Sequence, residues 1–219
     1  MYISIYILYV YCNVSGLLLL IIIVIITLNI DDVARIVACS TVDSRLDYCN
    51  SLFVGMTDRI FKKLQRVQNT LARVVQRAGK FEHTTPALIQ LHWLPVKQRA
   101  LYKLALITFN VLQHNNPMYL RNLLTTHNLS RNLHSSSQHL LSVGYMRTVS
   151  SSRCFKHSAA INWNDLPYDI RSCDSVNVFK RKFKTHLFNI AYATYHATTP
   201  TNNILVTYGT LQVLYCIVL

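Results

Sequence analysis

Acidic residues and glycine are scarce in this sequence. Only 9 of its 219 residues are Asp or Glu, and none lies between Glu82 and Asp165. Carboxylates this few and this dispersed leave little from which to build paired acid–base or two-metal chemistry. The five glycines are scattered, and no glycine-rich run exists to wrap a phosphate with backbone amides. The six cysteines (Cys12, Cys39, Cys49, Cys154, Cys173, Cys216) include no C-x-x-C pair. That pattern is neither a zinc site nor a disulfide framework, and it reads as reduced thiols of an intracellular chain. His134 and His139 have the wrong spacing for one helical face, and no Glu or Cys completes a ligand set. Ser135-Ser136-Ser137 and Ser150-Ser151-Ser152 lack the context of an activated nucleophile. No catalytic residue, metal, cofactor or small-molecule substrate is expected.

Positive charge is abundant by contrast. Lys and Arg number 22, for a net charge of +13. All of them fall between Arg35 and Lys184. A polyanion is the natural partner of such a surface, through phosphate neutralisation and counterion release; an anionic membrane leaflet is the alternative.

The densest run is Thr57–Lys80. Stepped at about 100° per residue, it puts Ile60, Phe61, Leu64, Val67, Leu71, Val74, Val75 and Ala78 on one face. Arg59, Lys62, Arg66, Arg73, Arg77 and Lys80 fall in a narrow arc opposite, with Lys63 near the apolar border. Thr57 and Asp58 suit a helix start and Gly79 a helix stop. The expectation is an amphipathic helix holding a row of cations outward, as a nucleic-acid contact or simply a solvated face.

Residues 1–30 carry no charge, and Gly16–Ile30 is nearly pure Leu, Ile and Val. The run is long enough for a membrane-spanning helix, and the cation excess beyond it would put the C-terminal side in the cytoplasm. Asp31–Phe53 reads as a helix broken near Ser40–Thr41. Thr85 and Pro86 mark a short helix start. Val96–His114 is apolar nearly all round, with a thin polar strip of Arg99, Lys103 and Asn110, and should be central. Pro117–Leu124 reads as a short helix, Thr125–Gln138 as an exposed loop, Leu140–Val149 as a hairpin strand and Phe155–Trp163 as a helix. A last helix starts at Asp174 or Ser175 and runs to about Tyr192, with Lys180, Arg181, Lys182 and Lys184 around it. Residues 193–219 form an apolar tail. Trp93 and Trp163 each precede a Leu-Pro and read as buried anchors; base stacking would need them exposed among cations.

Several blocks together resemble the region after the polymerase domain in LINE-type, non-LTR (jockey/chicken-repeat-like) retrotransposon reverse transcriptases. They are Ser44-Arg45-Leu46-Asp47-Tyr48-Cys49-Asn50-Ser51-Leu52, Leu64-Gln65-Arg66-Val67-Gln68-Asn69, Leu91-His92-Trp93-Leu94-Pro95-Val96 with Arg99, and Pro117-Met118-Tyr119-Leu120. Trp163-Asn164-Asp165-Leu166-Pro167, Ile170-Arg171, Phe179-Lys180 and Lys184-Thr185-His186-Leu187-Phe188 continue the series. The resemblance covers roughly 33–190. It implies a thumb and post-thumb portion that helps hold template RNA and target DNA, in a truncated copy. The family's polymerase aspartates and endonuclease lie upstream of this region. Asp31-Asp32 follows Asn29-Ile30 rather than the aromatic-plus-one pattern of that family's catalytic pair, so it is not assigned to catalysis.

The resulting expectation is a mainly α chain: a helical bundle with a short β-hairpin, plus a hydrophobic N-terminal helix. Its parts are a transmembrane segment at 1–30, a helical domain at 33–192 and a tail at 193–219. The expected role is non-catalytic binding of RNA or DNA phosphates by Arg59, Lys62, Arg66, Arg73, Arg77, Lys180, Arg181, Lys182 and Lys184. The alternative is a single-pass membrane protein with a basic cytoplasmic domain. Without the spanning segment the chain would be nuclear or cytoplasmic.

Overall fold

The computed structural model describes residues 31–127 and 139–198. They form a bundle of eight α-helices in which no strand occurs. The helices are α1 (Asp31–Asp47), α2 (Asp58–Gln76), α3 (Thr84–Gln90), α4 (Val96–His114), α5 (Met118–Arg121), α6 (Phe155–Asn164), α7 (Tyr168–Arg171) and α8 (Val176–Thr198). Short 3₁₀ turns stand at Asn50–Phe53 and Ser151–Arg153. The expected segment 1–30 lies outside the described residues, as does most of 193–219. Among the described residues, no helix is long and apolar enough to cross a membrane.

α1 continues through Ser40–Thr41, where a break was expected. The Ser44 hydroxyl donates to the Thr41 carbonyl at 3.0 Å, so this hydroxyl-rich stretch bonds within its own helix. The break comes later, at Cys49, whose φ of 52° is left-handed. Gly55, with φ +81°, then turns the chain into α2. A side chain there would also meet Arg153 Cγ at 3.0 Å.

Of the face its periodicity predicts, α2 buries Phe61, Leu64, Val67, Leu71 and Val75 and half-buries Ile60 and Val74, with Ala78 half-buried just past its end; Gln68 and Ala72, beside that face, are buried as well. Thr57 occupies the cap position, but its side chain makes no capping bond. The helix stops at Arg77, two residues before the expected Gly79. There the amide of Ala78 reaches the Arg73 carbonyl at 2.9 Å and that of Arg77 reaches Val74 at 3.3 Å. This is the paired closure that leaves one residue left-handed, and Arg77 takes that role with φ 52°. α3 starts at Thr84, so Thr85 lies inside the helix and is not its cap.

α4 has the bounds its sequence predicts and runs through both cores. One core joins Val42, Leu46 and Phe53 to the apolar face of α2, to Trp93 and Val96, and to Tyr192 of α8. The other gathers Leu104, Phe109, Trp163, Phe179 and Phe183. Its aromatic rings are in direct contact, Phe109 and Phe179 stacking with centroids 4.3 Å apart.

The hairpin expected at Leu140–Val149 does not form. One antiparallel bridge joins Thr126 to Leu141, and the residues after it carry no regular structure until the 3₁₀ turn. The reason is a competing partner. Asn164 receives the Leu141 amide and donates to its carbonyl, both at 2.9 Å. A side-chain amide has taken the two groups a second strand would need.

Candidate nucleic-acid interface

The helix that carries the row of cations, α2, is fastened to the core through its opposite face. Gln68 is completely buried and donates to the Leu94 carbonyl at 2.9 Å. One turn back, Gln65 accepts the Val96 amide at 2.9 Å and donates to Gln68 and Asn69. Arg99 shares the Leu94 carbonyl through Nε at 3.1 Å. Its Nη1 reaches Asp43 at 3.0 Å and Asp47 at 3.2 Å. Tyr192 closes the turn from α8 by donating to the Trp93 carbonyl at 2.6 Å. Asp43, Gln68, Trp93, Arg99 and Tyr192 thus form one polar knot around a Trp-Leu-Pro turn.

Arg99 belongs to the thin polar strip of α4. It is buried, because a guanidinium can be covered when carboxylates and carbonyls saturate its donors. Burial pushes the Asp43 carboxyl above the usual carboxylate range, with Arg99 opposing that shift.

The opposite face of α2 presents Arg59, Lys62 and Arg66 to solvent. No carboxylate pairs with any of the three among the described residues. Arg73, on the same arc, is half-buried; its Nη2 donates to the Glu82 carbonyl at 3.3 Å and its Nε is covered without a partner. From Arg59 to Arg73 the row extends roughly 21 Å along the axis. Arg77, exposed in the left-handed cap, continues it past the end of the helix. Here Thr70, Arg73, Arg77 and Lys80 border an open recess of about 560 Å³.

Lys180, Arg181, Lys182 and Lys184 belong to a separate helix, α8, which packs on α4 and α7. Arg181 and Lys182 are exposed, while Lys180 and Lys184 are half-buried. Lys182 donates to the Asp169 carbonyl at 3.2 Å. The nine expected residues are therefore a linear set on α2 and a dispersed set on α8.

Trp93 and Trp163 are buried, and Trp163 Nε1 donates to the His139 carbonyl at 2.9 Å. Neither ring can stack on a base. An aromatic residue that sequence patterning did not single out is Phe81, which is 93% exposed just past the α2 recess. The Lys80 ammonium lies 5.8 Å from its ring centroid. An aromatic ring between a basic helix and an acidic neighbour, Glu82, carries no periodic signal, so only the structure reveals it.

Among the described residues, no group of three or more His, Cys, Asp or Glu side chains could hold a metal ion. Asp31 and Asp32 are the first residues of α1. Compared with protein-family models, with curated proteins and with solved structures, the chain matches none.

Proposed function

We propose that this chain is a non-catalytic remnant of a LINE-type retrotransposon reverse transcriptase that holds RNA or DNA by its phosphates. The observation carrying this reading is the α2 row: Arg59, Lys62 and Arg66 stand in solvent without carboxylate partners among the described residues, on a helix whose other face is locked into the core. Such a row neutralises phosphates along a strand but reads no base edges. Phe81 adds an exposed ring on which an unpaired base can stack. The resemblance of the sequence blocks supports the retroelement origin.

Binding is then weak, tolerant of sequence and sensitive to salt. Fluorescence anisotropy with labelled oligo-U and oligo-A tests this. Similar affinities for the two, both lost as salt rises from about 50 to 200 mM, are expected. A strong preference for one sequence, or indifference to salt, contradicts the proposal.

A second reading rests on the uncharged stretch 1–30: a single-pass membrane protein with its basic portion in the cytoplasm. Retention of the full chain in membranes after carbonate extraction supports it, and release into the soluble fraction rules it out.

A further inference from the structure

A buried arginine next to the second core has no carboxylate partner among the described residues. Arg171, the last residue of α7, is only 8% exposed. Its Nε and Nη1 are fully covered, and neither has an acceptor. A guanidinium cannot shed its proton to escape this situation, and an unpaired ion under cover is costly.

Arg171 lines a recess of about 260 Å³, bordered also by Arg121, Gln113, His139, Ser172 and Asp174. Arg121 is held toward this region by two bonds, Nε to Asn115 Oδ1 at 3.0 Å and Nη1 to the Leu124 carbonyl at 2.8 Å. Asp174 is exposed and pairs with neither arginine. Nor can the chain between Thr126 and His139 supply the missing charge, since it contains no Asp or Glu. The recess holds the volume of roughly eight or nine water molecules. That accommodates a tetrahedral oxyanion with some of its water and leaves any larger attached group outside.

We propose that the recess beside Arg171 binds a phosphate group. Two guanidinium groups supply charge, and Nη2 of Arg171, the nitrogen that is not fully covered, supplies a directed N–H donor, a pairing that suits phosphate. The Ser172 hydroxyl and the Gln113 amide are the neutral donors at its edge. The site is distinct from the α2 row and stands or falls without it.

The test uses the full chain and follows arginine Nε–H resonances by NMR while inorganic phosphate replaces chloride at constant ionic strength. One arginine resonance, absent in Arg171→Lys, should shift and saturate. Thermal melting of the parent should rise with phosphate beyond the chloride control. Arg171→Met should melt no lower than the parent without phosphate and should lose the phosphate response. If Arg171→Met does not fold, the parent resonance decides alone. Short RNA with a 5′-phosphate, set against the same RNA with a 5′-hydroxyl, then identifies the source. Displacement of inorganic phosphate by the phosphorylated strand alone marks a strand end as the ligand, and displacement by neither marks free phosphate. The proposal is overturned if no arginine resonance moves beyond the chloride control, or if Arg171→Met keeps the full response.

Discussion

The phenol of Tyr192 donates to the backbone carbonyl of Trp93 at 2.6 Å, across 99 residues of sequence. Both groups are buried, so this bond fastens α8 to the turn that organises the first core. Tyr192→Phe leaves the Trp93 carbonyl without its donor. It should lower stability by about 1–3 kcal/mol, seen as a lower urea midpoint with an unchanged m-value.

The two halves of the polar knot are coupled through Arg99. Removing the cation alone, as Arg99→Met, strands the Asp43 carboxylate in a covered site, with an expected loss of about 3–5 kcal/mol. Replacing both partners, as Arg99→Met with Asp43→Leu, should cost clearly less than the two single losses combined. Urea unfolding of the four proteins in the cycle measures the coupling. Strict additivity would mean that the pair contributes nothing.

Alkaline pH should loosen the bundle before it affects the arginines. Burial pushes the Tyr102 phenol up to about 12 and moves Tyr192 upward as well. A tyrosine raised in this way is protonated in the folded chain where the unfolded chain has begun to ionise, from about pH 10. Its stabilising contribution is therefore complete below pH 10 and is lost as pH rises through about 12 in the case of Tyr102. Absorbance at 295 nm, followed alongside circular dichroism, should show these two tyrosines ionising only as helix content falls.

Much of this architecture was legible in the sequence. The buried face of α2 and both ends of α4 follow from apolar periodicity, because packing against a core dictates it. The polar knot was not legible. Gln68 and Arg99 look like surface residues, and only the convergence of α1, α2, α4 and α8 on one turn supplies their partners. The absent hairpin has a similar origin: weak alternation marked a strand, but the amide of Asn164 outcompeted a second strand for Leu141. Of the site, the arc on α2 and the separate helix that carries Lys180–Lys184 could be read directly, while the half-burial of Arg73, Lys180 and Lys184 and the exposure of Phe81 could not.

Arg77 separates strain from binding. Its left-handed backbone would suit glycine better, at a typical cost of about 1 kcal/mol for a residue with a side chain. Arg77→Gly should raise the unfolding free energy by about 0.5–1 kcal/mol and weaken RNA binding at the same time. A variant that loses stability, or that binds RNA more tightly, would contradict the role assigned to this residue.

The most direct measurement is the salt slope of RNA binding by the parent chain and by a variant carrying Arg59→Gln, Lys62→Gln and Arg66→Gln. These three exposed residues leave the packed face of α2 untouched, so helix content should be unchanged. Each lost phosphate contact on a single strand reduces the slope of log K against log salt by about 0.7. The account predicts a slope shallower by about 2 and weaker binding at low salt. An unchanged slope in a correctly folded variant would show that the cations of α2 do not face the phosphates.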